Sequence, residues 1–337
     1  MNVKILKYLI ATVAAMSIAC SCGKNSLETP QEDTLSPIGF SNVTTKATVS
    51  DLQMNGFGVW ASMTNATITN SPILDNAKVT YNTTTAAWEY SPLRYWVPET
   101  VFTFVAAYPY DQGIYTLDPS TSNLRLSLSE TPSQEDYLIA TNMTDTSVEG
   151  FAETVDLQFK HILTSVGLNI WRDGGKHQND QMRIRKVTLG NIRKGGTYSS
   201  NTDQWEPSDE RLTLEKTYEN VSDDDNIGAV IVMDDGTLDA GGSSPAAPFE
   251  NTMLIPQTLD GSSPVSLRIE YELKLNNAAD WTEAELEAVL PSATWLPNRR
   301  YTYNVVLSSV TDITVYYIQT KVDPWGTPQV GGTVIIK

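Results

Sequence analysis

The sequence predicts an all-β protein built as tandem β-sandwiches, and three observations carry that expectation. From Val265 to Leu275 the chain alternates strictly. Val265, Leu267, Ile269, Tyr271, Leu273 and Leu275 share one face, and Ser266, Arg268, Glu270, Glu272 and Lys274 share the other, the period of a half-buried antiparallel strand. Turn clusters such as Asp173-Gly174-Gly175, Lys194-Gly195-Gly196, Asp234-Asp235-Gly236 and Gly241-Gly242-Ser243-Ser244-Pro245 separate many short runs of this kind. Finally, 337 residues with 40% apolar content are enough for two cores of ordinary domain size.

The N-terminus reads as an export signal. Lys4 and Lys7 precede the apolar run from Tyr8 to Ala19, which is too short for an ordinary membrane span. Small residues then lead into Cys20-Ser21-Cys22-Gly23, which resembles the lipobox of bacterial lipoproteins. Cys20 and Cys22 both have a small residue before them, so either could carry the lipid, and neither has the usual Leu three residues earlier. A disulfide between them is disfavoured because one intervening residue gives poor bridge geometry. No later stretch is apolar enough to span a bilayer as a helix, so the lipid would be the membrane attachment.

After the signal, Ile38 and Phe40 alternate like a strand and Val43 to Thr45 continue a β-branched run. Phe102, Phe104, Ala106 and Tyr108 define one strand face, and Tyr301, Tyr303, Val305 and Leu307 define another. Further β-rich runs cover Phe57–Ser62, Thr164–Trp171, Met182–Leu189, Ala229–Met233 and Ile313–Val322. Thr282 to Leu290 supports two assignments. Thr282 with Glu285 forms a capping box for a short helix, yet Leu286, Ala288 and Leu290 alternate as in a strand. The clearest boundary falls near Val155, where the polar stretch Thr141–Thr154 gives way to Leu157-Gln158-Phe159-Lys160-His161.

Composition excludes several classes of function. With 23 basic against 40 acidic residues the formal charge is −17, which repels phosphate backbones, so no nucleic-acid partner is expected. Two histidines, and two cysteines confined to the N-terminus, leave little for zinc, haem or thiolate chemistry, and no cofactor is expected. Gly56-Phe57-Gly58-Val59-Trp60-Ala61 matches a dinucleotide fingerprint only formally, since no helix follows it to present an N-terminus to a pyrophosphate. Asp223-Asp224-Asp225 and Asp234-Asp235-Gly236 lack the spacing of a calcium loop and read as solvated turns. Glu283, Glu285 and Glu287 read as a wetted strand face, and His161, between Phe159 and Leu163, as a core histidine. His177 reads as a loop residue. Eight tryptophans could form a sugar-stacking platform, but Trp88, Trp96, Trp295 and Trp325 each adjoin strand-like runs, where sandwich cores use large aromatics. No nucleophile, base and orienter can be grouped, so no enzyme is expected.

Several short motifs occur in order: Gly56-Phe57-Gly58-Val59-Trp60, Trp88-Glu89-Tyr90, Tyr95-Trp96-Val97-Pro98 and Phe102 to Tyr110. Asp136 to Ala140, Leu157 to Thr164, Leu254-Ile255-Pro256-Gln257, and Arg300-Tyr301-Thr302-Tyr303 through Pro324-Trp325 follow. In this order, from about residue 38 to the end, the chain resembles the fimbrillin-like proteins, pilus subunits made as lipoprotein precursors. The resemblance implies two transthyretin-like β-sandwiches, export as a lipoprotein and polymerisation by strand exchange between subunits. It implies no enzyme.

The expected organisation is a signal peptide over 1–21, a linker with a removable first strand over 22–46, an N-terminal sandwich over 47–155 and a C-terminal sandwich with a tail strand over 156–337. In the resembling family, cleavage at a basic residue frees the first strand, and Lys46-Ala47 is the comparable site here, with Lys in place of the commoner Arg. The expected donor strand is Thr333-Val334-Ile335-Ile336, behind Gly331-Gly332. Expected partners are other fimbrillin subunits, the outer membrane through the precursor's lipid, and a host or bacterial surface receptor. The function expected is a subunit of a cell-surface fimbria contributing to adhesion. The alternative is a surface lipoprotein that never polymerises and binds glycans through exposed tryptophans.

Overall fold

Strand pairing organises nearly all of the chain. The structure is a computed structural model that describes residues 35–45, 49–110, 113–131, 135–175, 179–222, 224–233, 238–276, 278–307, 313–320 and 330–335. Cys20, Cys22, Lys46, Ala47 and Ile336 lie outside the described residues, as do His177, Asp223, Asp234 to Gly236 and Trp325.

The first half comprises β1 (Gly39–Thr45), α1 (Val49–Asn55), β2 (Phe57–Thr64), β3 (Ser71–Asn82), β4 (Ala87–Glu89), β5 (Val101–Tyr108), β6 (Tyr115–Asp118), β7 (Asn123–Leu128), β8 (Leu138–Asp145) and β9 (Thr154–His161). Next come β10 (Thr164–Asp173), β11 (Gln181–Arg193), β12 (Gly196–Ser199), β13 (Gln204–Pro207), β14 (Arg211–Thr217), β15 (Ala229–Val232), β16 (Leu238–Asp239) and β17 (Ala246–Leu254). The chain continues with β18 (Gln257–Leu259), β19 (Ser266–Lys274), β20 (Thr282–Val289), β21 (Ala293–Trp295), β22 (Arg300–Leu307), β23 (Ile313–Thr320) and β24 (Val330–Ile335). The protein is all-β, with α1 the one α-helix among the described residues.

A seven-stranded sheet in the order β1-β9-β8-β5-β2-β3-β4 dominates the first half. Its inner face buries Phe57, Val59, Phe102, Phe104, Val155, Leu157 and Phe159, and Leu52 of α1 reaches the same core. Its outer face is also covered. Trp60, Val105 and Ile139 pack on Leu124, Leu126, Tyr198 and Trp205 of a small sheet ordered β13-β12-β7-β6. Strand β5 is therefore buried on both faces, although its sequence marks only Phe102, Phe104, Ala106 and Tyr108 as an apolar face. Val105 and Ala107 fill the second core, and the run Phe-Val-Ala-Ala is the continuous apolar signature of such a strand.

The second half packs a four-stranded sheet, β14-β11-β19-β20, against a larger one ordered β16-β15-β10-β22-β23-β24, with β17 also pairing β10. Leu267, Ile269, Tyr271 and Leu273 of β19 enter their shared core, as the alternation requires, whereas Leu275, just past the strand, is exposed. Large aromatics at the centre satisfy their polar tips internally. Trp295 Nε1 donates to Tyr303 Oη at 2.9 Å, and Tyr301 Oη donates to the Thr294 carbonyl at 2.8 Å.

Thr282–Val289 is a strand. It lies antiparallel to β19, with Leu286 opposite Ile269 and Ala284 opposite Tyr271, so Leu286 and the alanines face the core and Glu283, Glu285 and Glu287 face out. One helical turn's capping box cannot compete with eight ladder pairs beside an existing strand.

The two halves are joined by hydrogen-bonded pairing. β7 of the first half pairs β12 of the second, Leu126 opposite Tyr198, and the chain from Ser36 onward is one contact unit. The passage from the first large sheet to the second occurs between His161 and Thr164.

Candidate functional site

Two features could act beyond packing, the seat of β1 and the free edge at the C-terminus. Strand β1 runs parallel to β9, with Gly39 opposite Thr154, Phe40 opposite Val155 and, after a register shift, Thr45 opposite Phe159. Its start is held on the opposite flank as well. Ile38 N–H donates to the Arg94 carbonyl at 2.8 Å, Trp96 N–H donates to the Ser36 carbonyl at 3.0 Å, and Tyr90 Oη donates to the Ile38 carbonyl at 2.9 Å.

The apolar side chains on this strand and just before it belong to the core. Ile38, Phe40 and Val43 are all buried. The Phe40 ring meets Tyr90 at 5.4 Å, Phe104 at 6.3 Å and Phe57 at 6.4 Å, each edge-to-face. Without β1, the β9 edge would lose its ladder and the cluster of Phe57, Tyr90 and Phe104 would open to solvent. Thr45 ends β1 and Val49 begins α1, so the expected processing site at Lys46-Ala47 lies between them in sequence.

At the other terminus β24 lies antiparallel to β23, with Ile335 opposite Tyr316, Val334 opposite Tyr317 and Val330 opposite Thr320. Thr333, Val334 and Ile335 thus sit in a strand at the end of the larger second sheet, and β23 is the one partner of β24 among the described residues.

The candidate catalytic residues are not brought together. His161 is buried and its Nδ1 lies 2.5 Å from Asp136 Oδ2, an anchor for the segment that leads into β8. Glu283, Glu285 and Glu287 stay on the solvent face of an edge strand. Asp225 accepts from Ser222 N–H and Oγ, bonds that hold its carboxyl below the usual range. Among the described residues no three acidic, histidine or cysteine side chains converge as a metal site.

The tryptophans are committed to the interior. Trp60, Trp96, Trp171, Trp205 and Trp295 are buried. Four of these spend their indole N–H on internal acceptors: the Glu153 carbonyl, Asn304 Oδ1, the Ile162 carbonyl and Tyr303 Oη, respectively for Trp96, Trp171, Trp205 and Trp295. Half-buried Trp88 packs on Tyr81 and Phe57, and half-buried Trp281 lies 4.1 Å from the Arg183 guanidinium. No exposed tryptophan platform exists among the described residues.

Sequence reasoning missed the clasp made by Tyr90 and Arg94. Tyr90 was visible only as part of a motif, and nothing in that motif says which strand its hydroxyl reaches. It also missed the buried cluster in which Glu272 bonds both Arg183 and Arg185, with Arg185 Nη2 at 2.5 Å from Oε1. Burial pushes the Glu272 carboxyl up, but the hydrogen bonds and charge of the two arginines outweigh it and hold the group below its ordinary value.

Comparison with known proteins adds the following. The profile of the family described as fimbrillin-like matches residues 45–325. A fimbrial protein from Bacteroides vulgatus shares the fold at TM-score 0.61 and 17% identity, over 85% of this chain and 99% of that one. A proposed cell adhesion protein from Bacteroides ovatus aligns at TM-score 0.47 and 16% identity, over 84% and 96% of the two chains. Another from Bacteroides uniformis aligns at TM-score 0.43 and 15% identity, over 87% and 99%. No curated protein matches the chain.

Proposed function

The chain belongs to the fimbrillin-like family, and from that premise we propose that it is a structural, non-enzymatic subunit of a cell-surface fimbria that contributes to adhesion. Its partners in this reading are other fimbrillin subunits and a host or bacterial surface receptor. Export runs through the signal over 1–21 and lipidation of Cys20 or Cys22, which tethers the precursor to the outer membrane. Proteolysis at Lys46-Ala47 then releases the first strand, and the two sandwiches, the first running on through β9 to His161 rather than ending at 155, form the assembled body.

The observation that carries this reading is the position of β1. It is an end strand of its sheet, it and the residue before it contribute Phe40, Val43 and Ile38 to the core, and the expected cleavage point follows its last residue. A strand of that kind, once cut, leaves an apolar seat and an unpaired edge that an extended segment of a neighbour can fill. Thr333-Val334-Ile335-Ile336 is the donor we assign, because its β-branched residues suit the seat and because a strand at a sheet edge can leave with few pairings lost.

Electron microscopy of surface material from wild-type and deletion cells tests the role. Filaments present in the wild type and absent after deletion support a polymerising subunit; filaments unchanged in number and length contradict it.

A further inference from the structure

We propose that a pocket on the flank of the first sandwich binds an anionic saccharide, with Lys78 and Arg94 holding its acidic group and Tyr110 lying beside Lys78 as an aromatic wall. The proposal does not depend on strand exchange. The pocket has a volume of about 930 Å³ and is formed by β3, the end of β4 and the segment from Tyr90 to Arg94, a size that suits a short oligosaccharide.

Seven cations elsewhere, Lys160, Arg183, Arg185, Lys186, Arg193, Lys194 and Arg268, each pair with a carboxylate. Lys78 and Arg94 pair with none among the described residues, although Asp75 and Glu89 line the same pocket. Arg94 is pre-positioned, since its Nε donates to the Ile73 carbonyl at 2.6 Å, and its backbone carbonyl is fixed by Ile38 N–H. Lys78 Nζ sits 5.1 Å from the Tyr110 ring centroid. The formal charge of −17 repels an anion at long range, so the acidic group would be held locally, by charge-assisted bonds to Lys78 and Arg94.

The rest of the lining selects a sugar over a peptide. The Pro72–Lys78 edge of β3 is a poor template for an added strand. Pro72 has no N–H, Asn76 adopts φ 46°, and Arg94 already occupies the Ile73 carbonyl. Recognition must therefore go through side chains. Asp75 and Glu89 accept from hydroxyls, the Tyr110 ring covers an apolar ring face, and Lys78 and Arg94 take a carboxylate or sulfate.

Calorimetric titration of the full mature chain with trigalacturonate, neutral galactotriose, a sulfated trisaccharide and inorganic sulfate tests the assignment. Trigalacturonate is expected to bind with a Kd below about 1 mM, and galactotriose about ten- to a hundredfold more weakly, the worth of charge-assisted hydrogen bonds. Lys78→Gln and Tyr110→Leu should each weaken trigalacturonate, while Arg125→Gln, an exposed cation on β7, should not. Comparable binding of the sulfated sugar supports recognition of the charge itself. The proposal is overturned by the absence of trigalacturonate binding, by equal binding of galactotriose, by inorganic sulfate binding as tightly as the trisaccharide, or by unchanged affinity in Lys78→Gln.

Discussion

The hydroxyl of Tyr90 donates to the backbone carbonyl of Ile38 at 2.9 Å, fastening the start of β1 to the body of the first sandwich. Tyr90 is itself buried, and burial raises its pKa, so the hydroxyl stays a donor at neutral pH. Tyr90→Phe keeps the ring against Phe40 and removes this bond together with the one the hydroxyl accepts from Arg94 N–H at 3.2 Å. The expected loss is about 1–3 kcal/mol in urea unfolding, the net worth of two hydrogen bonds. Hydrogen exchange should quicken in β1 and β9 before the rest of the sheet. Uniform acceleration across the protein would contradict a local clasp.

Phe40 carries the larger energetic part of the same seat. Phe40→Ala removes three edge-to-face contacts and leaves a cavity between Phe57, Tyr90 and Phe104, with an expected cost of about 3–5 kcal/mol. Phe104→Ala, deeper in the same core, should cost as much without selectively releasing β1. A Phe40→Ala cost within the scatter of surface substitutions would show that β1 is not an integral core strand.

Gly58 explains part of the glycine motif that first resembles a nucleotide fingerprint. A Cβ at this position would lie 2.2 Å from Asn76 Oδ1, on the stretch of β3 where Asn76 adopts φ 46° and the register with β2 shifts. Gly58→Ala is therefore expected to destabilise the fold by about 1–3 kcal/mol through overpacking. Combining it with Asn76→Gly, which tolerates the positive φ and removes the clash, should restore much of the loss, and a strictly additive double mutant would refute the contact.

Glu272 gives the protein an acid-sensitive point. The two arginines hold its folded pKa below its ordinary value, so its contribution is present above the ordinary glutamate range and is lost as pH falls through the depressed folded value. Glu272→Gln should flatten the acid limb of a stability-against-pH curve. At neutral pH it should also destabilise by about 3–5 kcal/mol, because it leaves two buried or half-buried guanidinium groups short of their counter-ion. Tyr271 acts at the other end of the scale. Burial pushes its pKa up to about 12, so the stability it contributes is complete below the ordinary tyrosine range near 10 and declines as pH rises toward 12. Tyr271→Phe should shift the alkaline transition upward.

What the sequence discloses, and what it does not, follows from range. Period-2 alternation is local, so Val265 to Leu275 and the run at Ile38 and Phe40 could be recognised without a structure. Which sheet a strand joins is decided by partners far along the chain. Nothing near Gly196 to Pro207 says that this hairpin pairs β7, or that Tyr198 and Trp205 roof the outer face of the first sheet. Thr282 to Val289 was ambiguous because the capping box is local evidence and the β19 ladder is not. The same holds for the site. The β1 strand and the basic residue after it were visible as residues. The clasp from Tyr90, Arg94 and Trp96 joins positions more than fifty residues away in sequence.

Strand release is the central claim, and polymerisation of chains with and without β1 tests it most directly. Purified protein cut after Lys46 and freed of the Ser36–Lys46 segment should form detergent-resistant ladders, and adding the Ser36–Lys46 peptide back should suppress them. The intact chain should stay monomeric, and cut protein lacking Gly331 to Lys337 should fold yet form no ladder. Ladders formed equally by intact and cut chains, or a cut chain that stays monomeric with its tail in place, would contradict the account.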